Sequence, residues 1–237
     1  GPSGLSFANA LLKHGISDFL VLEAEDVAGG LCRSEIVDGS PIDIGGGHFL
    51  DIRRPAVNQF LFQFMPENEW QMFERNSQIL IHGQSIHHPF ESNIWEFDLE
   101  SQIRYLKSIA SAGCNTGQKM PQKFTEWITW KLGSRIARDY MIPYNQKMFG
   151  TDLDDLGTYW LEKLPDVSFE NTLRSCLMKK AYGTQPGHAK FYYPKRYGYG
   201  ELWKRMADAL GSKIQYGKKI RKIDFDNRAV IDERGMV

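Results

Sequence analysis

Apolar residues Leu5, Ala8, Leu11 and Leu12 recur at helical spacing from the start of the chain, and His14-Gly15 supplies a stop signal. The pattern then shortens. Phe19-Leu20-Val21-Leu22 is an apolar run ending in Glu23, which predicts a buried parallel strand. Ala28-Gly29-Gly30 breaks the chain before a second strand candidate, Arg33-Ser34-Glu35-Ile36-Val37, closed by Asp38-Gly39. Ile42-Asp43-Ile44 alternates and runs into Gly45-Gly46-Gly47, and such a glycine run tends to be used where φ is positive or a ligand comes close. Helical spacing returns at Val57, Phe60, Leu61 and Phe64.

Residues 70–90 read as sheet, with Ile79-Leu80-Ile81, a turn at His82-Gly83-Gln84 and a returning strand at Ser85-Ile86-His87-His88. After Pro89 the period becomes helical: Ile103, Leu106 and Ile109 mark one helix, and Phe124, Trp127, Ile128, Leu132 and Ile136 a longer one. Phe191-Tyr192-Tyr193-Pro194 predicts a strand and Glu201 to Leu210 a helix. Lys213 to Tyr216, Ile220 to Phe225 and Ala229 to Ile231 predict closing strands. The order α/β, sheet, helices, α/β implies a discontinuous first domain, residues 1–69 with 183–237, interrupted by sheet strands at 70–96 and a helical domain at 97–182.

Charge and composition narrow the partners. With 29 Lys+Arg against 29 Asp+Glu there is no electrostatic reason to expect nucleic acid. No apolar run approaches the roughly 20 residues that span a bilayer, so no membrane partner is expected. Cys32, Cys114 and Cys176 are odd in number and widely spaced, and they read as ordinary buried or half-buried thiols of a reducing compartment, hence the cytoplasm. A homo-oligomer stays open.

Chemistry enters at the first residues. Gly1-Pro2-Ser3-Gly4 leads directly into a helix, and the next strand ends in an acid, Glu23. This is the back half of a G-x-G-x-x-G dinucleotide fingerprint, whose first glycine and strand would lie upstream of Gly1. Glycine lets the backbone approach a pyrophosphate, the helix N-terminus offers free N–H groups, and Glu23 would accept from the ribose hydroxyls. The competing reading is a glycine-rich turn that merely starts a helix.

Glu23, Gly29, Gly30 and Ser34 also match E-x(4–6)-G-G-x-x-x-S/T, and here the sequence resembles the FAD-containing superfamily of amine oxidases, protoporphyrinogen oxidases and UDP-galactopyranose mutases. Within it the mutases look most similar. Asp43-Ile44-Gly45-Gly46-Gly47-His48 is similar to the family's D-x-G-G-H loop beside the flavin ring. His88-Pro89-Phe90-Glu91-Ser92-Asn93 is similar to its Y-P-F-Q-N-N segment at the substrate pocket. Phe124 to Ile128, Pro143 to Gly150 and Phe191 to Trp203 resemble three further motifs in the family's order. The resemblance implies an α/β, Rossmann-like FAD-binding fold of the GR2 type, incomplete here, with a β-sheet region and an inserted helical domain.

It also implies site residues. Gly1, Ser3, Gly4, Glu23, Gly29, Gly30, Ser34, Gly46, Gly47, His48 and Ile220 would contact FAD, with His48 flavin-proximal and the candidate for a catalytic role. His88, Phe90, Glu91, Asn93, Tyr144, Asn145, Lys163 and Tyr193 would contact substrate. Departures limit the match: Ile142 replaces the arginine of R-P-Y-N, only Lys163 stands where an arginine would hold a diphosphate, and His88 and Glu91 replace tyrosine and glutamine. Lysine keeps the charge but lacks the planar fork. His82, His87 and His88 do not form a metal site, because alternate hairpin residues point to opposite faces. Tyr197-Gly198-Tyr199-Gly200 predicts a turn approaching cofactor or substrate.

The function implied is isomerisation of a UDP-hexopyranose to the furanose through attack of reduced flavin on the anomeric carbon. The alternatives are an FAD-dependent amine oxidase or protoporphyrinogen-oxidase-like oxidoreductase, and a flavin-free homologue. Because flavin-contacting segments on both sides would lie outside residues 1–237, this polypeptide is expected to bind FAD poorly.

Overall fold

The computed structural model describes residues 1–46, 49–159, 161, 168–183, 190–233, 235 and 236. Two compact units divide the chain, Gly1–Glu74 with Lys190–Val237, and Arg75–Ala189. The divisions fall a few residues beyond the expected ones at 69/70 and 182/183. At the first boundary the reason is one strand: Trp70–Glu74, expected among the substrate-domain strands, pairs antiparallel with Lys190–Pro194 and belongs to the first unit.

In the first unit, helix Pro2–Lys13 carries proline in its first turn, where a missing N–H costs nothing, and ends at His14. The following strand is only Val21–Leu22 and pairs parallel with Ile214–Gln215. It is half-buried rather than buried, because among the described residues it has a partner on one side alone. Ser34–Val37 and Ser40–Asp43 form a hairpin. Lys190–Pro194 is the central strand of an antiparallel sheet, flanked by Leu50–Asp51 and Trp70–Glu74. Helix Gly200–Asp208 packs on the first helix through Leu5, Ala8, Leu202 and Met206, each at most 2% exposed. The Asn9 amide fastens the pair by donating to the carbonyls of Leu5 and Met206, both at 2.9 Å. Ile220–Asp224, Ala229–Asp232 and Gly235–Met236 form a separate antiparallel sheet.

In the second unit, hairpin Gln78–Ile81 and Gln84–His87 turns through His82 and Gly83, both at positive φ. Ile79, Ile81 and Ile86 point into a core with Phe90, Ile109 and Ile136, while Leu80 alternates outward at 80% exposure. Helix Leu99–Ala110 is capped by Asp98, whose carboxylate accepts from the Ser101 amide at 2.9 Å. Helix Phe124–Ile136 is interrupted at Gly133, which lies against the Ser108 carbonyl, and continues through a π-helical turn, Ala137–Met141, into helix Ile142–Phe149. Helix Phe169–Met178 leans on the 90–96 turns, with the Ser175 hydroxyl donating to the Ser92 carbonyl at 2.7 Å. No helix among the described residues is long and apolar enough to cross a membrane.

Candidate functional site

Three parts of the expected fingerprint meet in the first unit. Gly1 caps the first helix, and the amides of Ser3 and Gly4 in its opening turn, both residues exposed, find no backbone acceptor among the described residues. The Glu23 carboxylate comes to 3.3 Å from the Gly1 nitrogen with one oxygen and accepts from the Glu25 amide at 3.1 Å with the other. Its side chain is only 14% exposed. The Gly29-Gly30 turn closes over the same place: Gly30 has φ 56, and a Cβ there would sit 3.2 Å from the Gly1 Cα. Only a residue without a side chain lets that turn approach the helix start so closely. The result is a cradle of free amides and positive helix dipole facing a carboxylate, an arrangement suited to a pyrophosphate and a ribose.

Ser34, expected beside FAD, is engaged by protein. Its hydroxyl donates to Asp43 at 2.5 Å and accepts from the Gly200 amide at 2.7 Å. Asp43 also accepts from the Tyr193 hydroxyl at 2.8 Å and from the Tyr199 amide at 3.1 Å. Burial, then the bond to Asp43, push the Tyr193 phenol up to about 12. A Cβ on Gly200 would meet the Ser34 amide nitrogen at 2.1 Å, so the Gly198–Gly200 turn makes its close approach to Ser34 and Asp43. Tyr193, expected on the substrate, thus has its hydroxyl committed to Asp43. Gly46 is exposed at the end of the Asp43 loop, whereas Gly47 and His48 lie outside the described residues, as does Lys163. Ile220 opens a strand opposite Asp232, in the antiparallel sheet rather than the parallel pair that leads to Glu23.

The second unit holds the remaining expected substrate residues. Phe90 is fully buried, stacked on Tyr140 at 5.2 Å and packed edge-on to Tyr105, which makes it a core ring rather than a pocket wall. Asn93 and Asn145 are buried and donate to the carbonyls of Pro89 at 2.9 Å and Met141 at 2.7 Å. His88 is exposed, and Tyr144, 45% exposed, stacks on Tyr140 at 5.4 Å. Glu91 stands apart. It is 7% exposed, and burial pushes its carboxyl up to about 7, opposed in part by its own amide and the Lys131 ammonium. The neighbouring Ser92 hydroxyl is buried without a hydrogen-bond partner among the described residues. Around these groups Tyr140 is held well above the usual phenol range, by burial first and then by Tyr144 and Glu91. The hairpin histidines each face a carboxylate: His87 Nδ1 lies 2.8 Å from Glu96 and His82 Nε2 3.8 Å from Asp139.

The family model for flavin containing amine oxidoreductases matches residues 2–233. The chain belongs to this family. As a flavin-containing amine oxidoreductase family member it has that family's mixed α/β FAD-binding fold, and FAD is the cofactor the family uses. Among solved structures, that of a reduced UDP-galactopyranose mutase superposes with a TM-score of 0.91 at 26% identity, covering 100% of this chain and 52% of that one. Wild-type putrescine oxidase bound to putrescine gives 0.58 at 19%, covering 99% and 53%, and cyclohexylamine oxidase from Brevibacterium oxydans gives 0.60 at 17%, covering 98% and 53%. These two likenesses establish fold alone. An uncharacterized protein in the nifH2 3' region of Methanothermococcus thermolithotrophicus is 60% identical over 45 residues, 19% of this chain and 42% of that protein. The chain spans about half the length of the solved family members it matches.

Asp43 opens the Asp43-to-His48 motif, and the sequence alone does not show that Ser34, Tyr193 and Tyr199 converge on it. Asp139 with Arg135 and Arg138 belongs to no motif of the sequence.

Proposed function

We propose that this flavoprotein acts on a nucleotide sugar, converting a UDP-hexopyranose to the furanose in the manner of UDP-galactopyranose mutase. The carrying observation is the backbone likeness to the reduced mutase, TM-score 0.91 against 0.58 and 0.60 for the two amine oxidases. The glycine cradle fits the group: Gly1, Ser3, Gly4, Gly29 and Gly30 would hold the FAD pyrophosphate, and Glu23 the ribose. Gly46, Gly47, His48 and Ile220 would contact the rest of the cofactor, with His48 nearest the flavin ring. Bound and reduced, FAD supplies the nucleophile for the anomeric carbon.

The chain's own groups bind and orient. Burial pushes the Glu91 carboxyl up to about 7, and its protonated form can donate a hydrogen bond to a sugar hydroxyl where the carboxylate can only accept one. Tyr144 offers an exposed ring for stacking, His88 a polar edge, and Lys163 a charge for the diphosphate without arginine's paired geometry. Amine oxidation is the second reading, favoured by the family match itself. Anaerobic stopped-flow mixing of the oxidised, FAD-loaded protein with putrescine or cyclohexylamine separates the two. The mutase reading expects no bleaching of the flavin by either amine; rapid bleaching would overturn it.

A further inference from the structure

The helical unit contains a cluster that neither the cradle nor the substrate residues use. Asp139 lies in the π-helical turn with its side chain 8% exposed, and its Oδ2 accepts from Arg135 Nε at 3.0 Å and from the Tyr105 hydroxyl at 3.2 Å. Its Oδ1 accepts from Arg138 Nε at 2.9 Å. His82, at the tip of the hairpin, brings Nε2 to 3.8 Å from the same carboxylate. Both arginines dock on Asp139 through Nε, Arg135 also reaches the Tyr105 hydroxyl, and the Arg138 side chain stays largely open to solvent. Arg135 is held from a second side, over the Tyr105 ring at 5.8 Å.

Charge and exposure point outward. Two guanidiniums against one carboxylate leave a local positive charge, which grows when His82 is protonated. The side chains of Arg138 and His82 are 68% and 59% exposed, and that of Arg135 36%. Two features of the backbone go with this. A π-helical turn is rare and tends to occur at functional sites. His82 holds φ 50 at a turn position where asparagine or glycine is usual.

We propose that Arg135, Arg138 and His82, oriented by the buried Asp139, form a surface site for a phosphoryl group. Paired guanidinium forks with an imidazole beside them match the several oxygens and double charge of phosphate better than a single carboxylate would. The site is separate from the dinucleotide cradle and needs no flavin.

Side-chain Nε–Hε NMR spectra of the whole chain, titrated with inorganic phosphate against sodium chloride of equal ionic strength, test it. Saturable shifts confined to Arg135 and Arg138, absent with chloride, are expected. R135Q/R138Q should weaken binding about tenfold or more, as loss of charge-assisted bonds requires. R138Q alone, altering a mostly exposed side chain, and H82N, which suits the turn, guard against misfolding, and each should weaken binding while leaving the circular dichroism unchanged. A phosphomonoester binding at least as well as inorganic phosphate assigns the site to esterified phosphoryl groups; weaker binding assigns it to the free ion. Linear, unsaturated shifts, equal shifts with chloride, or unchanged affinity in folded R135Q/R138Q and R138Q would overturn the proposal.

Discussion

Replacing Glu91 by glutamine removes an ionisable group from the core of the helical unit and keeps its shape. The carboxyl is 7% exposed and is shifted from 4.5 to about 7, chiefly by burial. Its folded pKa is raised above the unfolded one, so the protonated form stabilises the fold. That contribution is fully present below the unfolded value and is lost as pH rises through the folded value. The shift corresponds to about 3 kcal/mol between the acid and alkaline limits, most of which falls between about pH 5 and about pH 8. E91Q has no such loss, so its stability relative to wild type should rise by that amount over this interval. Urea unfolding of both proteins, followed by tryptophan fluorescence across the pH series, reads it directly. Wild-type and E91Q stabilities that run parallel with pH would refute the reasoning, because they would mean that Glu91 ionises at no cost to the fold.

Three further substitutions probe the first unit. Gly200→Ala places a Cβ 2.1 Å from the Ser34 amide nitrogen and should cost about 3 kcal/mol of urea stability, as backbone overpacking does; a neutral effect would mean that the turn is looser than described. Tyr193→Phe removes the 2.8 Å bond to Asp43 and should cost about 1.5 kcal/mol in the same assay, and should eliminate a phenol titrating near 12 from the alkaline absorbance curve. Glu23→Gln should weaken FAD binding about tenfold by fluorescence titration, since a carboxylate acceptor for the ribose hydroxyls becomes a half-donor amide; unchanged affinity would remove Glu23 from the cradle.

The cradle was legible because its parts are close in sequence and each is constrained locally: a glycine-rich helix start, a short strand, an acid and a glycine pair. The 78–87 hairpin was legible for the same reason, through isoleucine alternation around His82-Gly83. Partnership was not. Alternation in Trp70–Glu74 says nothing about its pairing with Lys190–Pro194, more than a hundred residues away, and this one pairing moved the boundary between units. Helices Ile142–Phe149 and Phe169–Met178 fall within the expected helical domain but carry no clear signal of their own, because Pro143 disguises the first and a polar surface dominates the second. Phe90 sits in a motif that resembles one bordering a pocket, whereas its neighbours Tyr105 and Tyr140 are brought to it by tertiary packing. Asp43 reveals its role only when Ser34, Tyr193 and Tyr199 converge on it.

The central claim is that a mutase-like backbone here serves mutase-like chemistry. Chromatographic detection of UDP-galactofuranose from UDP-galactopyranose, with the FAD-loaded protein oxidised in one arm and reduced by dithionite in the other, tests it most directly. The account predicts furanose in the reduced arm alone, without net consumption of reductant. No furanose from the reduced, FAD-loaded protein would contradict it.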